Sequence, residues 1–190
     1  LLPTIPFGCS QHHMAFSGTV TLDFDTFTDV VFQIGASLTL HGLKRLLFLN
    51  GHGGNTAALN IAINRLQLET EIEIVVLANY WDLCAETIEL LRETNAGGMG
   101  HAGEFETSVG LYLRPHLVAE DKMKTANVVP RIRHETLDLV RPGKVMVPWL
   151  AHRVNQYGII GDPLKSSSDK GRAFFKAAVD GVVDLIADIS

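Results

Sequence analysis

An apolar run at residues 46–49 stops at Asn50, and Gly51, His52, Gly53, Gly54 and Asn55 follow. Ala58, Leu59, Ala62, Ile63 and Leu66 then recur at helical spacing, and a second apolar run, IEIVVLA, occupies residues 72–78. Strand, turn, helix and strand in this order make a βαβ unit, and such units build parallel sheets with helices on their faces. The expected fold is therefore α/β, a three-layer α/β/α arrangement with a mostly parallel central sheet. Ligands of such sheets sit beyond the carboxyl ends of the strands. The glycine-rich turn at residues 50–55 lies at one of those ends.

The rest of the chain fits the same frame. Phe27, Val30, Val31, Ile34 and Leu38 predict an amphipathic helix, with Asp25 or Thr26 as its cap and Gly42 at its end. Residues 83–92 read as a helix, 96–103 as a loop, and 104–113 as a helix stopped before Pro115. A less regular segment carries Pro130, Pro142, Pro148 and Pro163. A last helix is expected over about residues 169–189, with Phe174, Ala178, Val182, Leu185 and Ile186 on one face. No repeat interrupts the pattern, and 190 residues suit a single domain.

Composition narrows the function. Sixteen Lys and Arg stand against 21 Asp and Glu, a net charge of −5 with no basic stripe, so nucleic acid is not an expected partner. No apolar run approaches the roughly 18–20 residues of a membrane span. Cys9 and Cys84 lie far apart and outside any CxxC pattern, which reads as reduced thiols in a cytoplasmic protein. The first residues, LLPTIPFG, have neither the charged start nor the cleavage site of a signal peptide. The chain opens on two leucines without an initiating Met, and is expected to be a piece of a longer or processed product.

Three stretches carry candidate chemistry. In the turn at residues 50–55, the glycines permit close backbone approach and Asn55 can cap the following helix. The histidine could be incidental or functional. A phosphate loop is a weaker reading, because neither GxGxxG nor a following Lys-Ser/Thr is present. At residues 100–108, GHAGEFETS places His101, Glu104 and Glu106 at a loop-to-helix junction. Carboxylates there can simply favour the helix start. Beside the apolar face implied by Phe105, Val109 and Tyr112, they would need a partner or a metal, and His with carboxylate suits Zn²⁺, Mn²⁺ or Fe²⁺. At residues 8–19, GCSQHHMAFSGT contains adjacent histidines; on a strand His12 and His13 would point to opposite faces, so at most one would serve a given site. A surface pair is the alternative. His41, His116, His134 and His152 have no local partner pattern and read as surface or core residues. Trp81 follows a strand and either packs or walls a substrate cleft. No GxSxG and no catalytic cysteine context is present, so a covalent mechanism is not expected.

Together these stretches resemble the creatininase (creatinine amidohydrolase) family. Its pattern G-x-S-x-x-H-x-x-F-x-G-T matches Gly8, Ser10, His13, Phe16, Gly18 and Thr19; its N-G-H-G-G-N turn is present at residues 50–55; its H-A-G-x-x-E-T-S block is present at residues 101–108. The resemblance implies a metal-dependent amidohydrolase with two divalent ions (Zn, Mn or Fe) near the strand ends, acting on a small cyclic amide or formamide. It makes His52 a metal ligand, Glu106 the first carboxylate ligand and Glu104 a second, and gives proton transfer to His101. His13, Gly53, Asn55 and Trp81 fall on the substrate side. It also implies a homo-oligomer, a hexamer.

The chain departs from the family in two places. Creatininase has a ligand Glu where this chain has Gly54. The family's upstream E-x-H-G-x-H-L-P-x-x-T-D motif, which supplies further ligands, is absent from these 190 residues. A longer gene product or a second chain is expected to provide it. The alternative is a non-catalytic binding or assembly subunit, and a nucleotide binder using the glycine turn is a third possibility.

Overall fold

A computed structural model of the chain describes residues 1–126 and 130–190. They form two compact units, Leu1–Tyr80 with Val183–Ser190, and Trp81–Val182.

The first unit holds helix α1 (Phe24–Leu40), strand β1 (Arg45–Asn50), helix α2 (Thr56–Glu69) and strand β2 (Ile74–Asn79). β1 and β2 pair in parallel from Arg45↔Ile74 to Asn50↔Asn79, the βαβ unit the sequence predicts. The sheet has two strands among the described residues. β2 starts at Ile74 rather than at residue 72, because the N–H groups of Glu73 and Ile74 both turn to the Lys44 carbonyl (2.9 and 3.1 Å) before the ladder begins. The cap of α1 is Asp23, not Asp25 or Thr26. Its carboxylate accepts the Thr26 N–H and the Thr26 hydroxyl, each at 2.8 Å, and satisfies donors that a helix start leaves open. Gly42, with φ +86°, takes the left-handed conformation that ends the helix.

The core of this unit is Cys9, Phe27, Val31, Ala58, Leu59 and Ala62, with Leu22, Phe48 and Leu77 packed against it. The buried face of α1 also includes Thr28 and Gly35. A Cβ at Gly35 would stand 2.6 Å from Leu66 Cδ1. A glycine therefore lets α1 close onto α2, which hydrophobic periodicity alone does not mark.

The second unit holds α3 (Ala85–Leu91), α4 (Glu104–Leu113), the short α5 (Ala151–Val154) and most of α6 (Ser168–Ile189), whose end from Val183 belongs to the first unit. α4 has the predicted bounds. The predicted helix over 83–92 begins instead with a 3-10 turn, Asp82–Cys84. α4 and α6 pack through Phe105 and Phe174, both fully buried, with ring centroids 5.4 Å apart. Gly171 permits this approach, since a Cβ there would lie 1.9 Å from the Ser108 carbonyl oxygen. The buried face of α6 comprises Gly171, Phe174 and Ala178, whereas Ile186, expected on that face, is exposed. The irregular proline-bearing segment is short turns and extended chain where described; residues 127–129 lie outside the described residues.

Both cysteines are free and buried. Among the described residues no helix is long and apolar enough to cross a membrane.

Candidate functional site

In the first unit the turn after β1 is fixed by Asn50, which is 2% exposed. Its Nδ2 donates to Asn79 Oδ1 (2.9 Å) and Thr56 Oγ1 (3.3 Å), while its Oδ1 accepts from the His52 N–H (3.1 Å) and Asn55 Nδ2 (3.3 Å). One amide side chain thus ties both strand ends to the turn. Asn55 stands at the start of α2, but its side chain does not cap that helix. Its Oδ1 accepts the Cys9 N–H at 2.8 Å and so joins the turn to the segment at residues 8–13. Gly53 opens the short 3-10 turn Gly53–Asn55.

That connection positions His52. Its Nε2 lies 3.1 Å from the Cys9 carbonyl and 3.4 Å from Ser10 Oγ. A carbonyl only accepts, so the Cys9 contact is a hydrogen bond when Nε2 carries the proton, and Nδ1 then keeps the lone pair. His12 and His13 stand on a 3-10 turn, Gln11–His13, and not on a strand. The expectation that only one could face a given site is therefore corrected. The His12 ring is stacked with that of His52 (centroids 5.4 Å, planes 3° apart), and the His13 ring lies 6.2 Å from His52 and 4.2 Å from His12. Beside them Gln11 Oε1 is buried and makes no hydrogen bond. Gly54 has no room for a side chain: a Cβ would meet Cys9 O at 2.3 Å, His52 Nε2 at 2.5 Å and His12 Cε1 at 2.7 Å.

In the second unit His101 and Glu106 face one another across the start of α4. Glu106 Oε2 accepts the Ala102 N–H at 2.6 Å and lies 3.6 Å from His101 Nδ1. Their side chains are 40% and 31% exposed. Ala102 between them has φ +51°, a left-handed conformation that is uncommon outside glycine. It is held by Glu106 and by the Thr107 hydroxyl, which donates to the Ala102 carbonyl at 3.1 Å.

Glu104 is placed differently from the metal ligand expected of it. It is fully buried, and both its oxygens are engaged. Oε1 accepts from Lys170 Nζ (2.6 Å) and the Glu93 N–H (2.9 Å), and Oε2 accepts from the Thr94 N–H (2.9 Å) and hydroxyl (2.7 Å). Burial alone would raise its pKa; these hydrogen bonds, led by Lys170 and the Thr94 hydroxyl, hold it below the ordinary value. Trp81 is 5% exposed and packs in the interior, with its carbonyl accepting from Cys84 Sγ at 3.6 Å.

Sequence reading missed Asp138. Its Oδ2 accepts from Arg92 Nη2 (2.8 Å) and the N–H groups of Gly97 (2.8 Å) and Met99 (3.4 Å), and its Oδ1 from those of Val140 (3.1 Å) and Arg141 (3.0 Å). This buried carboxylate gathers the loop that leads to His101, and no spacing rule connects it to that loop. Among the described residues no three His, Cys, Asp or Glu side chains are arranged to hold a metal ion.

A parallel βαβ unit with histidines gathered at the end of its first strand, and a His-Glu pair opening a later helix, define an α/β protein of the creatininase type. The chain belongs to the creatininase (creatinine amidohydrolase) family, whose model matches residues 1–186. It is 33% identical over 187 residues to the mycofactocin precursor peptide peptidase of Mycobacterium ulcerans, covering 98% of this chain and 65% of that protein. It thus spans about two thirds of the length of that relative. It is 29% identical over 205 residues to the creatinine amidohydrolase of Pseudomonas putida, covering 99% of this chain and 74% of that protein. A solved creatininase mutant described as Zn-Zn type superposes with a TM-score of 0.71 at 28% identity, covering 91% of this chain and 67% of that one.

Proposed function

We propose that this chain is the larger part of a metal-dependent amidohydrolase that cleaves a carbon–nitrogen amide bond with water. The observation that carries the reading is the placement of His52 at the end of β1, with Nε2 3.1 Å from the Cys9 carbonyl. A ring nitrogen set against a backbone carbonyl, which orients the imidazole so that the other nitrogen can bind, is the usual arrangement of a metal-binding histidine. Nitrogen donors of this kind suit Zn²⁺, Mn²⁺ or Fe²⁺. The Zn-Zn description of a structural neighbour supports a divalent ion, and the named activities of the relatives, a peptidase and an amidohydrolase, share the amide bond.

When bound, the ion would polarise the amide carbonyl and acidify water. In the first unit His52 would hold it, and Gly53, Asn55 and His13 would be on the substrate side of the turn. In the second unit Glu106 Oε2 lies 3.6 Å from His101 Nδ1, and His101 would pass a proton to the departing nitrogen through Nε2. Of the two acids that open α4, Glu106 rather than Glu104 is retained as the candidate carboxylate of the second unit, because Glu104 is committed to Lys170 and the turn at residues 93–94. The substrate is taken to be a cyclic amide, a formamide or a short peptide, and the assembly a homo-oligomer.

The test is a comparison of purified variants by bound metal and by hydrolysis of a panel of those amides. His52→Ala should lower metal content and activity together. His101→Ala should lower activity by about 10²–10⁴-fold and leave the metal in place. Metal lost in both variants or in neither, or no metal in the unaltered protein, overturns these roles and leaves the non-catalytic alternative.

A further inference from the structure

We infer that residues 131–153 form a docking surface for a short acidic segment of a partner protein, a role separate from the hydrolysis proposed above. The chain as a whole is acidic, at −5, yet this stretch carries five Lys and Arg against two acids, a net charge of +3. Those two acids are not available to offset it. Glu135 and Asp138 are 3% and 6% exposed, and each is paired with an arginine, Arg131 and Arg92.

Hydrogen bonds lay the start of this stretch alongside its middle. The Lys144 N–H donates to the His134 carbonyl (2.9 Å), and the Thr136 hydroxyl to the Arg141 carbonyl (2.6 Å). Arg131 Nη1 and Nη2 donate to the carbonyls of Pro148 (2.8 Å) and Val147 (2.9 Å). Gly143 lets the two segments close, because a Cβ there would stand 2.5 Å from the His134 carbonyl oxygen. Asp138 anchors the pair to the loop at residues 97–99 through the Gly97 and Met99 N–H groups. The surface is therefore ordered before a partner arrives, which spares that cost on binding.

Two of the five cations hold this structure together, Arg131 with Glu135 and Arg141 with Glu89. The other three, Arg133, Lys144 and Arg153, are exposed, and no ion pair among the described residues engages them. In the same paired segments Ile132, Val145 and Met146 are 48%, 42% and 88% exposed. Single exposed apolar residues are ordinary, but three beside uncommitted cations have the composition of an interface, where Arg and Met are enriched.

Such cations bind carboxylates through charge-assisted hydrogen bonds, and the apolar side chains call for apolar partners. A segment mixing Asp or Glu with Leu, Ile or Val offers both. A nucleic acid backbone offers no apolar complement. Outside this stretch 11 Lys and Arg stand against 19 Asp and Glu, a net of −8, which repels an extended polyanion or an anionic bilayer.

The experiment is fluorescence anisotropy with a short labelled peptide of Glu, Asp and Leu, its counterpart of Gln, Asn and Leu, and a single-stranded DNA oligonucleotide, with phosphatidylserine vesicles tested by cosedimentation. The acidic peptide should bind, more weakly as salt rises, and the neutral peptide, the DNA and the vesicles should not. Arg133→Ser with Lys144→Ser should weaken binding of the acidic peptide by about tenfold or more. Met146→Ser should weaken it by about threefold or more. Lys176→Ser, which removes an exposed cation elsewhere on the second unit, should leave it unchanged. Circular dichroism checks each fold, and if the double variant is not native, Lys144→Ser alone must show a loss. Acidic peptide that does not bind, or that binds the folded variants as tightly as the unaltered protein, overturns the proposal. So does tighter binding of the DNA or the vesicles. A mass above one chain that falls to one chain in Arg133→Ser with Lys144→Ser would give the face to a second copy and overturn it too.

Discussion

Glu104 Oε1 and Lys170 Nζ lie 2.6 Å apart, with the Glu104 side chain fully buried and that of Lys170 13% exposed. α4 and α6 are thus joined by a charge pair inside the second unit. Removing one partner of such a pair leaves an uncompensated buried charge and costs about 3–5 kcal/mol. Lys170→Met should therefore lower the stability of the protein by that amount in urea unfolding, although methionine fills similar space. An unchanged urea midpoint would mean that the pair is solvated in solution.

The acid limit of stability follows from the same unit. The carboxyls of Glu104 and Asp138 would both be raised by burial, but hydrogen bonds hold them below their ordinary values: Lys170 and Thr94 for Glu104, Arg92 and the Arg141 N–H for Asp138. A carboxyl whose folded pKa is depressed contributes stability that is present above its unfolded pKa and is lost as pH falls through the folded one. Stability attributable to these groups should be level above about pH 5 and decline below about pH 4. Asp138→Asn, which turns an N–H donor toward groups that themselves donate, should lower stability at neutral pH by about 1–3 kcal/mol and remove part of the acid dependence. Urea titrations at several pH values read both effects.

Ala102 supplies a prediction of opposite sign. A left-handed alanine costs about 1–2 kcal/mol relative to glycine, and about 0.4–1 kcal/mol of that gain is offset by the freer unfolded chain of a glycine variant. Ala102→Gly should raise stability by up to about 1 kcal/mol, visible as a higher melting temperature. A lower one would show that the methyl group makes a contact worth more than the strain.

Cys9 and Cys84 should resist alkylation in the native protein. Burial raises both thiols, Cys9 with help from the Asp23 charge, and carries Cys84 up to about 11. The thiolate is the reactive form. Iodoacetamide near neutral pH should leave both unmodified until denaturant is added, as mass spectrometry would record. Rapid labelling of the folded protein would contradict their burial.

What the sequence made legible was local. The switch from apolar runs to helical spacing located β1, α2 and α4, and the glycine turn marked the strand end where the histidines gather. What it hid depends on distance along the chain. Glu104 looked like a metal ligand because its partner Lys170 is 66 residues away. Asp138 binds Arg92 across 46 residues. Asn55 looked like a helix cap because its bond to the Cys9 N–H comes from a segment 46 residues earlier. Adjacent His12 and His13 would point to opposite faces on a strand, but their segment is a 3-10 turn, in which consecutive side chains do not alternate between faces.

The four hydrogen bonds of the Asn50 side chain bear on how tightly anything can be held beside it. A mobile loop must be ordered when a ligand arrives, and that lost freedom is subtracted from the affinity. Here the ordering is completed during folding, with Asn79, Thr56, His52 and Asn55 all tied to one buried amide. For the ion proposed at His52, association should then carry little entropic penalty from the backbone. Loosening Asn50 would weaken binding without touching a single donor atom.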